Sequence, residues 1–258
     1  MGKLEVKDLR VRIGEKEYLQ GIDFVVEEGK TLVIIGESGS GKTMLSRLLI
    51  GQRPEDQAQI TGEILFDGKD LIKMDSKGWS EYRGSKIAYI AQNPMALFNP
   101  SQTIFSHADE LFRSHGISGG KECEEKLIEA LTAFNLKEPA LIAKKYPFQL
   151  SGGMLQRIMF AMMMQLTPKL IIADEPTSAL DEHNTQTIID TLAQHQGASM
   201  IVITHDYELV RQLADEVIIL KDGKIMEQGD AETILKAPRT AYGKSLLMPK
   251  RYLRYGQV

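Results

Sequence analysis

Eight consecutive residues, Gly36-Glu37-Ser38-Gly39-Ser40-Gly41-Lys42-Thr43, match the pattern G-x-x-x-x-G-K-[ST] at every fixed position. Glycines let such a backbone curl so that successive amide N–H groups point inward at phosphate oxygens. A helix that opens there adds the positive end of its dipole. Lys42 suits the β and γ phosphates of a nucleoside triphosphate, and Thr43 offers a hydroxyl to Mg²⁺. The alternative, a glycine-rich turn with an incidental lysine, sits poorly between the apolar run before Gly36 and the helically spaced Leu45, Leu48 and Leu49 after it. The loop specifies a triphosphate without distinguishing kinase, GTPase or transporter.

Two further groups complete a triphosphate chemistry. In Leu170-Ile171-Ile172-Ala173-Asp174-Glu175 two acids stand where an apolar run ends, which is where α/β sheets present ligand groups. Asp174 suits a Mg²⁺ contact, direct or through water, because hard cations take oxygen ligands. Glu175 is then free to orient or deprotonate an attacking water. His205 ends the run Met200-Ile201-Val202-Ile203-Thr204. Taken alone it serves equally as a cap before the helix that follows Asp206 or as a γ-phosphate contact.

These groups need a sheet to hold them. The runs Thr31 to Ile35, Leu170 to Ala173 and Met200 to Ile203 are rich in Ile and Val and lack alternation, as parallel strands buried on both faces do. By contrast Leu4 and Val6, then Ile22, Phe24 and Val26, alternate with polar residues, the period of half-buried antiparallel strands. Asp67-Gly68 and Asp222-Gly223 each follow an apolar run and read as hairpin turns. From about residue 94 to 166 helix formers dominate and apolar residues such as Leu127, Leu131 and Phe134 recur at helical spacing, which predicts a helical subdomain inserted into an α/β core.

Composition narrows the partners. With 258 residues, 43% of them hydrophobic, the chain can bury a full core. A net charge of -4 provides no basic field for nucleic acid, which is therefore not an expected partner. No apolar run approaches the roughly 20 residues that cross a bilayer, and the start MGKLEVKDLR lacks the apolar stretch of a secretion signal. Cys123, the single cysteine, lies in the charged run KECEEK and reads as an ordinary exposed thiol.

The segment Leu150-Ser151-Gly152-Gly153-Met154-Leu155-Gln156 resembles the signature sequence of ATP-binding-cassette (ABC) ATPases. The landmarks of that family occur in order: the phosphate loop, Gln92, the signature, Asp174-Glu175, Ser178-Ala179-Leu180-Asp181 and His205. The resemblance implies an α/β fold, a P-loop ABC ATPase core with a small antiparallel β subdomain and an inserted α-helical subdomain. It assigns residues 1–236 to the ATPase domain and 237–258 to a short C-terminal tail. It implies ATP and Mg²⁺ as cofactors and assigns Glu175, His205 and Gln92 to catalysis. Thr43, Gln92 and Asp174 become the metal contacts. In the family Ser151, Gly152 and Gly153 bind the γ-phosphate held by an opposite cassette, and Asp181 belongs to a loop exchanged between the two. An aromatic residue usually stacks on adenine; counting back from the phosphate loop puts Ile13 there, with Tyr18 nearby on another register.

Gln92-Asn93-Pro94, Phe98-Asn99-Pro100 and Tyr146-Pro147-Phe148-Gln149-Leu150-Ser151-Gly152-Gly153-Met154-Leu155-Gln156-Arg157 look like the oligopeptide, dipeptide and nickel importer subfamily, with the nickel or metal-chelate members most similar. This likeness implies an import ATPase on the cytoplasmic side of the cell membrane, a peripheral subunit. It implies work with two permease subunits, a second paralogous ATPase forming a heterodimer, and an extracytoplasmic substrate-binding protein. Oligopeptide or dipeptide import is the alternative cargo, and a non-transport ABC ATPase acting on nucleic acid is the rival class. Within residues 92–103, Met95, Leu97 and Phe98 are the expected permease-docking surface, or else are packed into the subdomain's own core.

Overall fold

The computed structural model describes residues 2–54, 57–117, 119–178, 182–194 and 197–247. Strand β1 (Leu4–Ile13) pairs antiparallel with β2 (Lys16–Val26) and with β4 (Gln59–Phe66), which in turn pairs with β5 (Lys69–Asp70). This four-stranded sheet has the order β2-β1-β4-β5. Leu4 and Val6 differ in parity from Leu9 and Val11, so a regular strand would expose one pair. A register shift between Val6 and Leu9, with Asp8 at φ 41°, restores both to the core. The turn at Asp67 and Gly68 has φ of 49° and 79°, as a two-residue hairpin of the favoured twist requires.

The larger sheet has six strands in the order β10-β9-β3-β8-β7-β6. They are β3 (Thr31–Ile35), β6 (Ile87–Ile90), β7 (Leu170–Asp174), β8 (Ser199–Ile203), β9 (Glu216–Lys221) and β10 (Lys224–Asp230). All pair in parallel except β10, which returns antiparallel to β9 through Asp222-Gly223. Every residue of β3, β7 and β8 is buried. The missing alternation has a direct cause, because the sheet separates two cores. Leu32, Ile34, Leu170, Ile172 and Ile201 pack toward the smaller sheet and α1 (Lys42–Leu49), while Val33, Ile35, Ile171, Ala173 and Val202 pack toward helices.

Those helices come mostly from the connection between β6 and β7: α3 (Ile104–Ser114), α4 (Lys121–Ala133), α5 (Pro139–Lys144) and α6 (Gly152–Met164). The helices α7 (Glu182–Gln194) and α8 (Tyr207–Leu213) join the same core, and α9 (Ala231–Lys236) follows β10. Between β5 and β6 lies α2 (Ser76–Tyr82), whose N-terminus is capped by Asp75.

Cys123 departs from expectation. Its neighbours in sequence are charged, but Cys123, Leu127 and Leu131 fall four residues apart on one face of α4, and all three are buried. Burial pushes the thiol's pKa up to about 11, which disfavours the reactive thiolate.

Candidate nucleotide site

The phosphate loop leaves the end of β3 and closes into α1 at Gly41, whose φ of 107° suits glycine. A Cβ at Gly41 would also stand 2.9 Å from Leu19 Cδ2 and 3.0 Å from the Tyr18 carbonyl oxygen. At the loop's other end a side chain on Gly36 would strike the Leu220 carbonyl of β9. The loop therefore packs against both β2 and the β9–β10 hairpin, and Gly223 N–H donates to the Ser40 carbonyl at 2.9 Å. The Lys42 ammonium lies inside the curl, donating to the carbonyls of Gly36 at 2.7 Å and Glu37 at 2.8 Å. Burial lowers its pKa against the opposing pull of the Glu175, Asp174 and Glu37 carboxylates.

Parallel register aligns the ends of the neighbouring strands. Ile203 of β8 pairs with both Ile34 of β3 and Asp174 of β7, and Ala173 pairs with Ile90 of β6. The phosphate loop, His205, Asp174-Glu175 and Gln92 thus all emerge at one edge of one sheet, with Gln92 exposed. Asp174 is only 5% exposed. One of its oxygens accepts from Ser46 Oγ at 3.0 Å and from the Tyr89 hydroxyl at 3.3 Å. Burial raises the Asp174 pKa despite these two donors. The Tyr89 hydroxyl is pushed up to about 12 by burial first and the Asp174 charge second.

Glu175 sits in the left-handed region at φ 49°, its N–H donating to the Ile203 carbonyl at 2.8 Å. Ser178 Oγ donates to the Glu175 carbonyl at 3.0 Å, which closes the turn after it. From there a carboxylate oxygen lies 2.8 Å from Nδ1 of His205, two residues beyond the end of β8. Glu175 is largely enclosed and His205 largely open, with side-chain exposures of 13% and 67%.

The other expected residues lie off this edge. Ser151 and Gly152 are exposed and Gly153 half-buried at the N-terminus of α6, where Ser151 Oγ accepts from Met154 N at 3.2 Å. Ile13 is half-buried at the tip of the β1–β2 hairpin, paired with Lys16. Tyr18 stands nearer the phosphate loop through its backbone contact with Gly41. Asp181 lies outside the described residues. Of the three apolar residues expected to form a docking surface, Met95 and Leu97 are 48% and 55% exposed. Phe98 is packed inward, edge-on to His107 with ring centroids 5.1 Å apart. A cavity of about 580 Å³ opens beside them, lined by Leu97, Phe98, Gln102, His107, Met159 and Met163 among others.

Three residues given no role of their own in the sequence expectations also touch this machinery. Ser46 and Tyr89 hold Asp174, and the buried Gln156 of α6 donates its amide to the Pro176 carbonyl, immediately after Glu175. Ser46 is marked in the sequence only as a polar residue on an otherwise apolar helix face, whereas Gln156 also closes the signature segment.

A profile of the ABC transporter family matches residues 19–178. The chain is 39% identical over 240 residues to the metal-staphylopine import system ATP-binding protein CntD of Staphylococcus aureus (strain NCTC 8325 / PS 47), covering 92% of this chain and 88% of that protein. It is 36% identical over 251 residues to the oligopeptide transport ATP-binding protein OppD of Lactococcus lactis subsp. cremoris (strain SK11), covering 95% and 74% respectively. Among solved structures, the dimeric post-hydrolysis state of the ATP-binding cassette MJ0796 bound to ADP and Pi superposes with a TM-score of 0.78 at 26% identity, over 88% of this chain and 98% of the other.

Proposed function

The chain belongs to the ABC transporter family as an ATP-binding and ATP-hydrolysing subunit, and from that premise we propose that it powers uptake of nickel or a metal chelate through a separate membrane permease. The observation that carries the hydrolytic part is the meeting of Glu175 and His205 beside a lysine-filled phosphate loop. In this reading residues 1–236 form the ATPase domain, with the helical insertion at about 94–166.

ATP enters with its phosphates in the loop from Gly36 to Thr43, against the amides of Ser38, Gly39 and Ser40 onward, while the Glu37 amide faces away from them. The Lys42 ammonium exchanges its carbonyl partners for β and γ phosphate oxygens. Glu175 orients the water that attacks the γ-phosphorus in line and takes its proton, and His205, held by Glu175, contacts the γ-phosphate. Asp174 is a nearly buried carboxylate at the strand edge beside the phosphate loop, and Thr43, Asp174 and Gln92 would supply the oxygen donors that Mg²⁺ favours. When bound, Mg²⁺ neutralises charge developing on the phosphates.

Ser151, Gly152 and Gly153 stand open at a helix start, an arrangement that accepts an anion from outside the chain. They complete the site of a second, paralogous ATPase subunit; the family resemblance assigns Asp181, outside the described residues, to the loop exchanged with that subunit. Ile13 or Tyr18 contacts adenine. The exposed Met95 and Leu97 and the adjoining cavity receive one of two permease subunits on the cytoplasmic side of the membrane. An extracytoplasmic binding protein delivers the cargo. Metal-staphylopine import by CntD supports a metal chelate, and the likeness to OppD keeps oligopeptides as the alternative. Transporter reconstituted in vesicles with its binding protein tests this. Loading that protein with a nickel chelate is expected to stimulate phosphate release and uptake together, whereas stimulation by oligopeptides alone would reassign the cargo.

A further inference from the structure

The segment after α9 reaches back to the phosphate loop. Its anchor is Glu227 on β10, whose carboxylate accepts from the N–H groups of Arg239 and Thr240 at 2.8 Å each and from the Thr240 hydroxyl. Thr240 Oγ1 then accepts from Gly243 N at 2.9 Å, which starts a helix over 241–247. A Cβ at Gly243 would press on the Glu227 carboxylate, so a larger residue there would have to displace the anchor. At its far end Leu247 is 4% exposed, and Leu246 and Leu247 face Ile35, Gly36, His205 and Tyr207. Between these two attachments lies Tyr242. The Lys221 ammonium stands 4.6 Å from its ring centroid, and its hydroxyl accepts from the Glu37 N–H of the phosphate loop at 3.1 Å.

We propose that Tyr242 is a positioning residue for the phosphate loop: fastened by Glu227 on one side and Leu247 on the other, its hydroxyl holds the Glu37 amide and sets the loop's shape for the triphosphate. Glu37 is the second residue of the loop, and its carbonyl is one of the two backbone carbonyls that Lys42 holds, beside the Ser40 hydroxyl. Tyr242 therefore grips the opposite side of the same peptide segment that Lys42 must release when phosphate arrives. Such a residue acts on the affinity for ATP rather than on the step that breaks the phosphorus–oxygen bond. The inference rests on this loop being the ATP site.

The test is Tyr242→Phe, which removes only the hydroxyl. ATP binding is measured on the full chain, and kcat and KM on the assembled transporter, with Lys42→Ala alongside. Loss of one hydrogen bond is expected to weaken ATP binding and raise KM by roughly fivefold. kcat at saturating ATP should stay within about twofold, and the thermal midpoint should fall by no more than about 4 °C. Unchanged ATP affinity in Tyr242→Phe, while Lys42→Ala destroys binding, would overturn the role of Tyr242 alone. A fall in kcat with intact affinity would also overturn it. Full ATP affinity in Lys42→Ala would instead remove the loop assignment underneath.

Discussion

Glu175 and His205 meet at 2.8 Å across the ends of two adjacent parallel strands, the acid enclosed and the imidazole open to solvent. Glu175 makes this contact from the left-handed region at φ 49°, directly after the end of β7. Replacing the carboxylate by its amide keeps a polar partner for His205 but removes the proton acceptor. Glu175→Gln should therefore retain ATP binding while phosphate release from the assembled transporter falls by roughly a thousandfold. Unchanged turnover would remove Glu175 from the chemistry.

Asp174 makes the fold pay for function. Burial raises its folded-state pKa above that of the unfolded chain, so its contribution is fully present below the unfolded value and is lost as pH rises through the folded value. Asp174→Asn lacks that loss. Its thermal midpoint relative to the parent chain, in Mg²⁺-free and nucleotide-free buffer, should therefore climb as pH is raised from about 4 to 8. Its Mg²⁺-dependent hydrolysis should fall by about a hundredfold or more. A difference in midpoint that is flat with pH would contradict the account of this carboxylate.

Gln156 ties the signature helix to the loop after Glu175 through a buried amide, and its own side-chain oxygen is buried without a partner among the described atoms. Gln156→Met fills the space but strands the Pro176 carbonyl, at a cost of about 1–3 kcal/mol that removal of the unpartnered oxygen offsets in part. Because the freed loop carries Glu175, kcat should fall more than KM rises. Equal stability and unchanged kcat would reduce Gln156 to packing.

Cys123 offers a check on the helical core. A thiol that is 0% exposed in a buried helix face should react with a maleimide at least about a hundredfold more slowly in the folded chain than in urea. Equal rates would mean that α4 does not pack as described.

The parts of the site legible in the sequence are those that the chain writes contiguously. The phosphate loop, Asp174-Glu175 and His205 each come directly after an apolar run, so strand, turn and functional group are all local signals. The supports were not legible, because each is a contact between distant segments. Ser46 lies 128 residues from Asp174, Tyr89 lies 85 from it, and Tyr242 lies 205 from Glu37. Cys123 is buried although its sequence neighbours are charged, because the four-residue step to Leu127 and Leu131, not the adjacent residues, sets which face of α4 it shares. Phe98 was similarly obscured, since a Pro-punctuated loop carries no period to say which of its apolar residues turns inward.

The most direct test of the composite ATP site is a structure of the assembled transporter carrying Glu175→Gln with ATP and Mg²⁺ bound. It is expected to show the triphosphate in the Lys42 loop of one ATPase subunit, with the Ser151 turn of the other within hydrogen-bond distance of the γ-phosphate. A closed assembly in which the Ser151 turn faces away from every phosphate would contradict it.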